Sequence, residues 1–149
     1  MSATVLLYHI VFRPKDSRPV IDTANEESLY RYIWRFVVDK GGILYAVGGM
    51  ADHVHLLVEL PPTIPLAVFM RDLKTSTSKF LKYNAKLFPY FEQWGKGYFA
   101  ETHSLSQKET IRTYIKGQKQ HHRTICFADE MRKLYEECGL PADKYFMSE

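Results

Sequence analysis

Two short segments carry residue types that could do chemistry at useful spacings. The first is Ala51-Asp52-His53-Val54-His55-Leu56-Leu57-Val58-Glu59. Its apolar, β-branched run reads as a strand, and side chains alternate faces along a strand. Val54, Leu56 and Val58 then point into a core. His53 and His55 point together to the other side, close enough to ligate one divalent metal; in a helix they would stand ~200° apart. The plain alternative is a pair of surface histidines. With six His among 149 residues, a bare His-x-His arises by chance in about a quarter of such chains. A structural zinc site is a further alternative, but such sites close with four ligands, usually including Cys. Cys126 and Cys138, the two cysteines of the chain, lie far along it and lack ligand spacing. An open site of two histidines plus an oxygen ligand fits better and leaves positions for phosphate and water.

The second segment is Thr110-Ile111-Arg112-Thr113-Tyr114-Ile115-Lys116-Gly117-Gln118-Lys119-Gln120-His121-His122. Tyr114 and Gln118 stand at i and i+4, one helical turn apart on one face. Arg112, Lys116, Lys119 and Arg123 form a basic stripe on the opposite side, either a solvated face or a nucleic-acid contact. A carboxamide oxygen one turn from a tyrosine could complete a His-His metal site beneath it. Gly117 at mid-helix costs about 1 kcal/mol relative to Ala and suggests close approach of another element. The bland alternatives are a tyrosine at the edge of a core and an exposed glutamine.

These residues need elements to position them. Val5 to Phe12 reads as a first strand, followed by a loop through Arg13-Pro14-Lys15-Asp16-Ser17-Arg18-Pro19. Leu29, Ile33, Trp34, Phe36 and Val37 recur at helical spacing from about Asn25 to Asp39, and Gly41-Gly42 stops that helix. A second strand covers Ile43 to Val47, Gly48-Gly49 reads as a break, and a third strand runs from His53 to Leu60, ended by Pro61-Pro62. Pro65 opens a long helix with Leu66, Phe69, Met70, Leu73, Phe80 and Leu81 near one face. Gly95-Lys96-Gly97 precedes a strand from Tyr98 to about His103. Ser106 and Glu109 stand at capping-box spacing at the start of a helix reaching about His122. A last helix, about Ala128 to Glu137, is stopped by Gly139 and Pro141. The order β-α-β-β-α-β-α-α predicts an α+β, ferredoxin-like (RRM-like) fold: an antiparallel sheet with helices packed on one face and the other free to hold a site.

Composition bounds the class. A chain of 149 residues reads as one domain, 1–149. Apolar content of 46% and charged content of 25% are ordinary for a globular protein. No run reaches the ~18 apolar residues of a membrane helix, and the N-terminus lacks the basic region of a secretory signal. With no disulfide framework, a reducing cytoplasm is the expected setting. The net charge of +3 permits nucleic-acid binding without demanding it.

His53-Val54-His55 within Gly48-Gly49-Met50-Ala51-Asp52-His53-Val54-His55-Leu56-Leu57 resembles the HUH motif (His, bulky apolar residue, His) of single-tyrosine transposases. These belong to minimal bacterial insertion sequences of the insertion-sequence-200-like and REP-associated type. The resemblance also covers His9-Ile10-Val11-Phe12, Asp72-Leu73-Lys74-Thr75-Ser76-Thr77-Ser78-Lys79, Trp94-Gly95-Lys96-Gly97-Tyr98 and Tyr114 to His122. Ala51 stands where relatives commonly have Pro. The resemblance implies a DNA transposase that cuts and rejoins single-stranded DNA through a 5′-phosphotyrosine. His53, His55 and Gln118 would hold Mg²⁺ or Mn²⁺, and Tyr114 would be the nucleophile. It also implies a homodimer, with the site assembled either in cis or in trans, Tyr114 of one subunit then serving the His53-Val54-His55 site of the other. A substrate with a hairpin near the element end and a cytoplasmic, nucleoid-associated enzyme are implied as well. Arg71, Lys74, Ser78 and Lys79 are candidate DNA contacts, with a solvated helix face as the alternative. Three other readings stay open: a domesticated repeat-processing relative, a single-stranded nucleic-acid-binding module without chemistry, and a metal-dependent phosphodiesterase.

Overall fold

The computed structural model of the chain describes residues 2–142. Strands β1 (Leu7–Phe12), β2 (Ile43–Met50), β3 (His53–Glu59) and β4 (Phe99–His103) form one antiparallel sheet in the order β2-β3-β1-β4. Helix α1 (Glu26–Asp39) joins β1 to β2, and α2 (Leu66–Tyr83) joins β3 to β4. This is the expected α+β, split β-α-β arrangement. Helices α3 (Lys108–Lys116), α4 (Gln118–His121) and α5 (Phe127–Glu137) follow β4.

The period-2 alternation of the strands divides the molecule. Ile10 and Phe12 of β1 and Val54, Leu56 and Val58 of β3 face Leu29, Ile33 and Val37 of α1 and Phe69, Met70, Leu73 and Leu81 of α2. Each of these fully buried side chains contributes about 1.5–3 kcal/mol by leaving water. Trp34, one of the apolar positions on the α1 pattern, stays 50% exposed. The opposite residues of the same strands face α3, α4 and α5. Leu7, Ala46 and Leu57 pack on Ile115, and Val11 and Phe99 pack on Phe127, Met131 and Tyr135. The second face of the sheet is therefore overlaid too: between the two apolar patches His9, His53, His55 and Gln118 are buried, while Tyr114 and Glu101 at the margin stay partly exposed.

Three local expectations change. Gly48-Gly49 is no break, because β2 runs through to Met50, with Gly48 opposite His55 and Gly49 opposite Val54. A Cβ on Gly48 would stand 2.5 Å from the Ile115 carbonyl oxygen, so this glycine is what lets α3 settle on the sheet. The close approach expected at Gly117 thus occurs at Gly48. Gly117 instead separates α3 from α4, with φ −86° and ψ 10°, as expected where the residue most costly to helix interiors after Pro interrupts a short helix. The capping box does not form: Ser106 sits in a 3₁₀ turn (Leu105–Gln107) with its hydroxyl paired to Ser104, and α3 begins only at Lys108.

Candidate active site

His53 and His55 are both fully buried on the second face of β3. Each imidazole is held from behind. Nδ1 of His53 lies 2.7 Å from the Asp52 carboxylate, so Nδ1–H donates there and Nε2 keeps its lone pair. Nδ1 of His55 lies 2.9 Å from Nε2 of His9. His9 stands opposite Glu101 across the β1–β4 pair and lies 3.1 Å from its carboxylate through Nδ1. His103 Nε2 reaches the same Glu101 oxygen at 2.8 Å. Donation along the chain His55 to His9 to Glu101 leaves Nε2 of His55 as an acceptor, and that atom is buried with no hydrogen-bond partner among the described residues. Phe127 stacks on the His53 ring at 4.1 Å and fixes its plane.

The C-terminal helices bring the rest. Gln118 is buried at the start of α4, with Oε1 2.9 Å from Nε2 of His53. Its Nε2 donates to Glu130 at 2.9 Å, which sets the amide orientation. In the tautomer that serves Asp52, the facing atoms of His53 and Gln118 are both acceptors, an arrangement suited to sharing a cation. The Tyr114 ring lies 5.6 Å from His55 and 5.9 Å from His9, edge-on to both. Its hydroxyl donates to Glu130. Glu130, buried in the first turn of α5, also accepts from His122 at 2.9 Å and lies 3.5 Å from Nε2 of both His53 and His55.

Burial and these contacts tune the groups. Burial pushes the His55 imidazolium down to about 3, against the opposing pull of Glu130, so His55 stays a neutral donor of electrons across the physiological range. The Tyr114 hydroxyl is raised above the ordinary tyrosine range, first by burial and then by its bond to Glu130. Burial alone would raise Glu130, but the His55 imidazole and the donors Tyr114 and Gln118 outweigh it and hold the carboxyl low. Glu101 is likewise lowered to about 2, since bonds from His9, Cys138 and His103 override its burial. The outcome is two imidazole nitrogens and a carboxamide oxygen converging beside a tyrosine. This donor set without thiolate suits a hard or borderline divalent ion.

The sequence profile described as "Transposase IS200 like" matches residues 2–118. The chain belongs to the IS200-like transposase family. The transposase for insertion sequence element IS200 of Salmonella typhimurium is 30% identical over 115 residues, covering 74% of this chain and 75% of that protein. The Salmonella typhi IS200 transposase aligns equally well. Among solved structures, a candidate transposase from Deinococcus radiodurans shares the fold at TM-score 0.62 and 24% identity, over 78% of this chain and 93% of the other. A REP-associated tyrosine transposase bound to a REP hairpin shares it at TM-score 0.60 and 12% identity, over 82% and 73%.

In this IS200-like transposase, His53, His55, Tyr114 and Gln118 come together in one site. The four candidate DNA contacts do not join it. Arg71, Lys74 and Ser78 line a separate groove of about 510 Å³ between α2 and the loop Trp94–Tyr98. Lys74 donates to the carbonyls of Gly95 and Gly97 at 2.8 Å each, so it holds that loop. Lys79 is exposed on α2 outside the groove lining. Lys119 of the basic stripe is tied to Glu26 and the Gly49 carbonyl, which pins α4 to the sheet. Sequence reasoning gave no role in the site to Asp52, His9, Glu101 or Glu130. Cross-strand alternation could have flagged His9, which precedes the first strand's Ile10 just as His53 precedes Val54. Nothing local marks Glu130. No helix among the described residues is long and apolar enough to cross a membrane.

Proposed function

We propose that this chain cleaves and rejoins single-stranded DNA at the ends of a mobile element, with Tyr114 as the nucleophile. The observation that carries this reading is the placement of the Tyr114 ring 5.6 Å from His55 inside one buried site of one chain. His53, His55 and Gln118 would hold Mg²⁺ or Mn²⁺, which when bound neutralises charge on the scissile phosphate. The Tyr114 oxygen attacks phosphorus and the 3′-hydroxyl of the DNA leaves, giving a 5′-phosphotyrosine. One phosphodiester replaces another, so attack by a different 3′-hydroxyl restores the tyrosine and closes a new strand without ATP. Asp52 and His9 keep the two imidazoles facing the phosphate, while the surrounding apolar side chains exclude water that would compete with the incoming hydroxyl.

The substrate is taken to carry a hairpin near its end, in keeping with the hairpin-bound neighbour of the same fold. The groove lined by Arg71, Lys74, Ser78 and Lys96 gives its backbone a basic wall, and Lys79 adds charge beside it. The working form is taken as a homodimer acting in the cytoplasm at the nucleoid, each subunit using its own Tyr114. The test is a denaturing gel after incubation with Mn²⁺ and labelled single-stranded element ends. A covalent protein–DNA band is expected, and it is absent in Tyr114→Phe and with chelator. Tight binding without a band in the wild type overturns the reading in favour of a binding module.

A further inference from the structure

The family match ends at Gln118, yet the site is closed by a residue from α5, twelve positions beyond that limit. Glu130 is 2% exposed and lies among His53, His55, Tyr114, Gln118, His121 and His122. Its Oε1 stands 3.5 Å from Nε2 of His53 and 3.5 Å from Nε2 of His55. These three side chains converge as one potential metal-binding group, with their ligand atoms within 4.8 Å of one another. Two donors bound to one ion at about 2.1 Å stand ~3.0–3.5 Å apart for octahedral to tetrahedral angles. The spacing is thus that of atoms sharing an ion. Nε2 of His55 is buried with no close hydrogen-bond partner among the described residues, and the Glu130 oxygen that faces it at 3.5 Å already accepts from His122 at 2.9 Å.

We propose that Glu130 is a metal ligand of this site, so that the ion is held by His53, His55, Gln118 and a carboxylate supplied from α5. The placement has a structural cause. Phe127, Met131 and Tyr135 form one stripe of α5 and dock on Val11 and Phe99. Glu130 follows Phe127 by three residues, so docking that stripe turns the carboxylate inward beside β3. The two carboxylate oxygens divide the work. Oε1 faces the imidazoles, and Oε2 accepts from the Tyr114 hydroxyl and from Gln118. The same side chain therefore fixes the position of the tyrosine oxygen relative to the ion. A carboxylate added to two neutral imidazoles and an amide also favours a hard divalent cation over a soft one.

The proposal rests on the reading of His53 and His55 as metal ligands, and its test separates the two. Chelator-stripped wild type, Glu130→Gln, Glu130→Asp, Tyr114→Phe and His55→Ala are titrated with Mn²⁺ by calorimetry. The visible absorption of each Co²⁺-saturated protein is recorded as well. Glu130→Gln is expected to weaken Mn²⁺ binding tenfold or more and to change the shape of the Co²⁺ bands at saturation. Glu130→Asp, one methylene shorter, changes the bands in the same direction and serves as the second variant should the Gln protein fail to fold. Tyr114→Phe leaves both readouts near wild type, and His55→Ala loses binding. Unchanged or tighter Mn²⁺ binding in the Glu130 variants overturns the proposal while leaving the transposase reading intact. Weaker binding with unchanged Co²⁺ bands also overturns it, by showing Glu130 to be a charge near the ion and not a ligand. Absence of Mn²⁺ binding in the wild type overturns the metal site itself.

Discussion

The orientation of His53 depends on Asp52, its neighbour in the chain, which receives the Nδ1 proton and leaves Nε2 aimed into the site. A carboxylate behind a ligating histidine fixes both tautomer and ring plane, and its loss typically weakens metal binding 10–100-fold. Asp52→Asn, which can present its own N–H to the ring, is therefore expected to lower Mn²⁺ affinity within that range with little change in thermal stability, as read by calorimetry and melting. Tyr114 presents a different case. Its hydroxyl is held above the ordinary tyrosine range by burial and by Glu130, so nucleophilicity must come from the bound state of the site. Tyr114→Phe keeps the edge-on ring packing against His9 and His55 and removes one hydrogen bond to Glu130. A folded protein with wild-type Mn²⁺ binding and no covalent adduct is expected; an adduct in that variant would move the nucleophile elsewhere.

Among the elements, α3 and β2 meet with no room to spare. Gly48 faces the Ile115 carbonyl, and an alanine Cβ there would lie 2.5 Å from that backbone oxygen. Because the obstacle is backbone, α3 must shift as a unit, carrying Tyr114 with it. Gly48→Ala should cost about 1–3 kcal/mol in urea unfolding, in line with other overpacking changes. It should also lower adduct yield, although His53 and His55 keep their strand positions. Equal stability to wild type would show that α3 tolerates the displacement. The interruption at Gly117 belongs to the same junction: it lets Gln118 begin a short helix whose Lys119 is clamped by Glu26 and by the Gly49 carbonyl.

For the molecule as a whole, two buried polar layers lie on one face of the sheet, and both respond to acid in the same sense. The His55 imidazolium is pushed down to about 3 in the fold against 6.5 for an unperturbed side chain. The unfolded chain therefore binds a proton below pH 6.5 that the folded chain refuses, and stability falls as pH drops from 6.5 toward 3, by up to about 1.4 kcal/mol per pH unit per proton. Glu101, lowered to about 2 against 4.5, adds a second loss as pH falls from 4.5 toward 2. Melting of the metal-free protein should decline below pH 6.5 and more steeply below 4.5. His55→Gln should flatten the upper part of that decline, and an unchanged profile would place the proton uptake elsewhere. Charge on α2 acts at longer range. The double change Arg71→Gln with Lys79→Gln should weaken single-stranded DNA binding. It should also reduce the slope of log affinity against log salt by about 0.7 for each phosphate that is no longer neutralised. Mn²⁺ binding should not move.

Features that depend on local geometry were legible from residue order alone. Strand alternation put His53 and His55 on one face whatever the rest of the chain did, because successive side chains of a strand point oppositely. Helical periodicity put Tyr114 and Gln118 on one side of their segment, although the single helix expected there is broken at Gly117 and Gln118 opens α4. The order of apolar runs and breakers was enough for the α+β sheet and its two packing helices. The residues behind and around the histidines were not legible in this way. His9 reaches His55 across 46 positions, His53 reaches Gln118 across 65, and Tyr114 reaches Glu130 only because α5 folds back onto β1 and β4. Gly48-Gly49 looked like a strand break for the same reason. Its glycines answer to the Ile115 and His53 carbonyls, which only the folded chain brings there. Propensity and period act within a few residues, whereas closing a buried polar site requires partners for every donor and acceptor, and those partners came from tertiary packing.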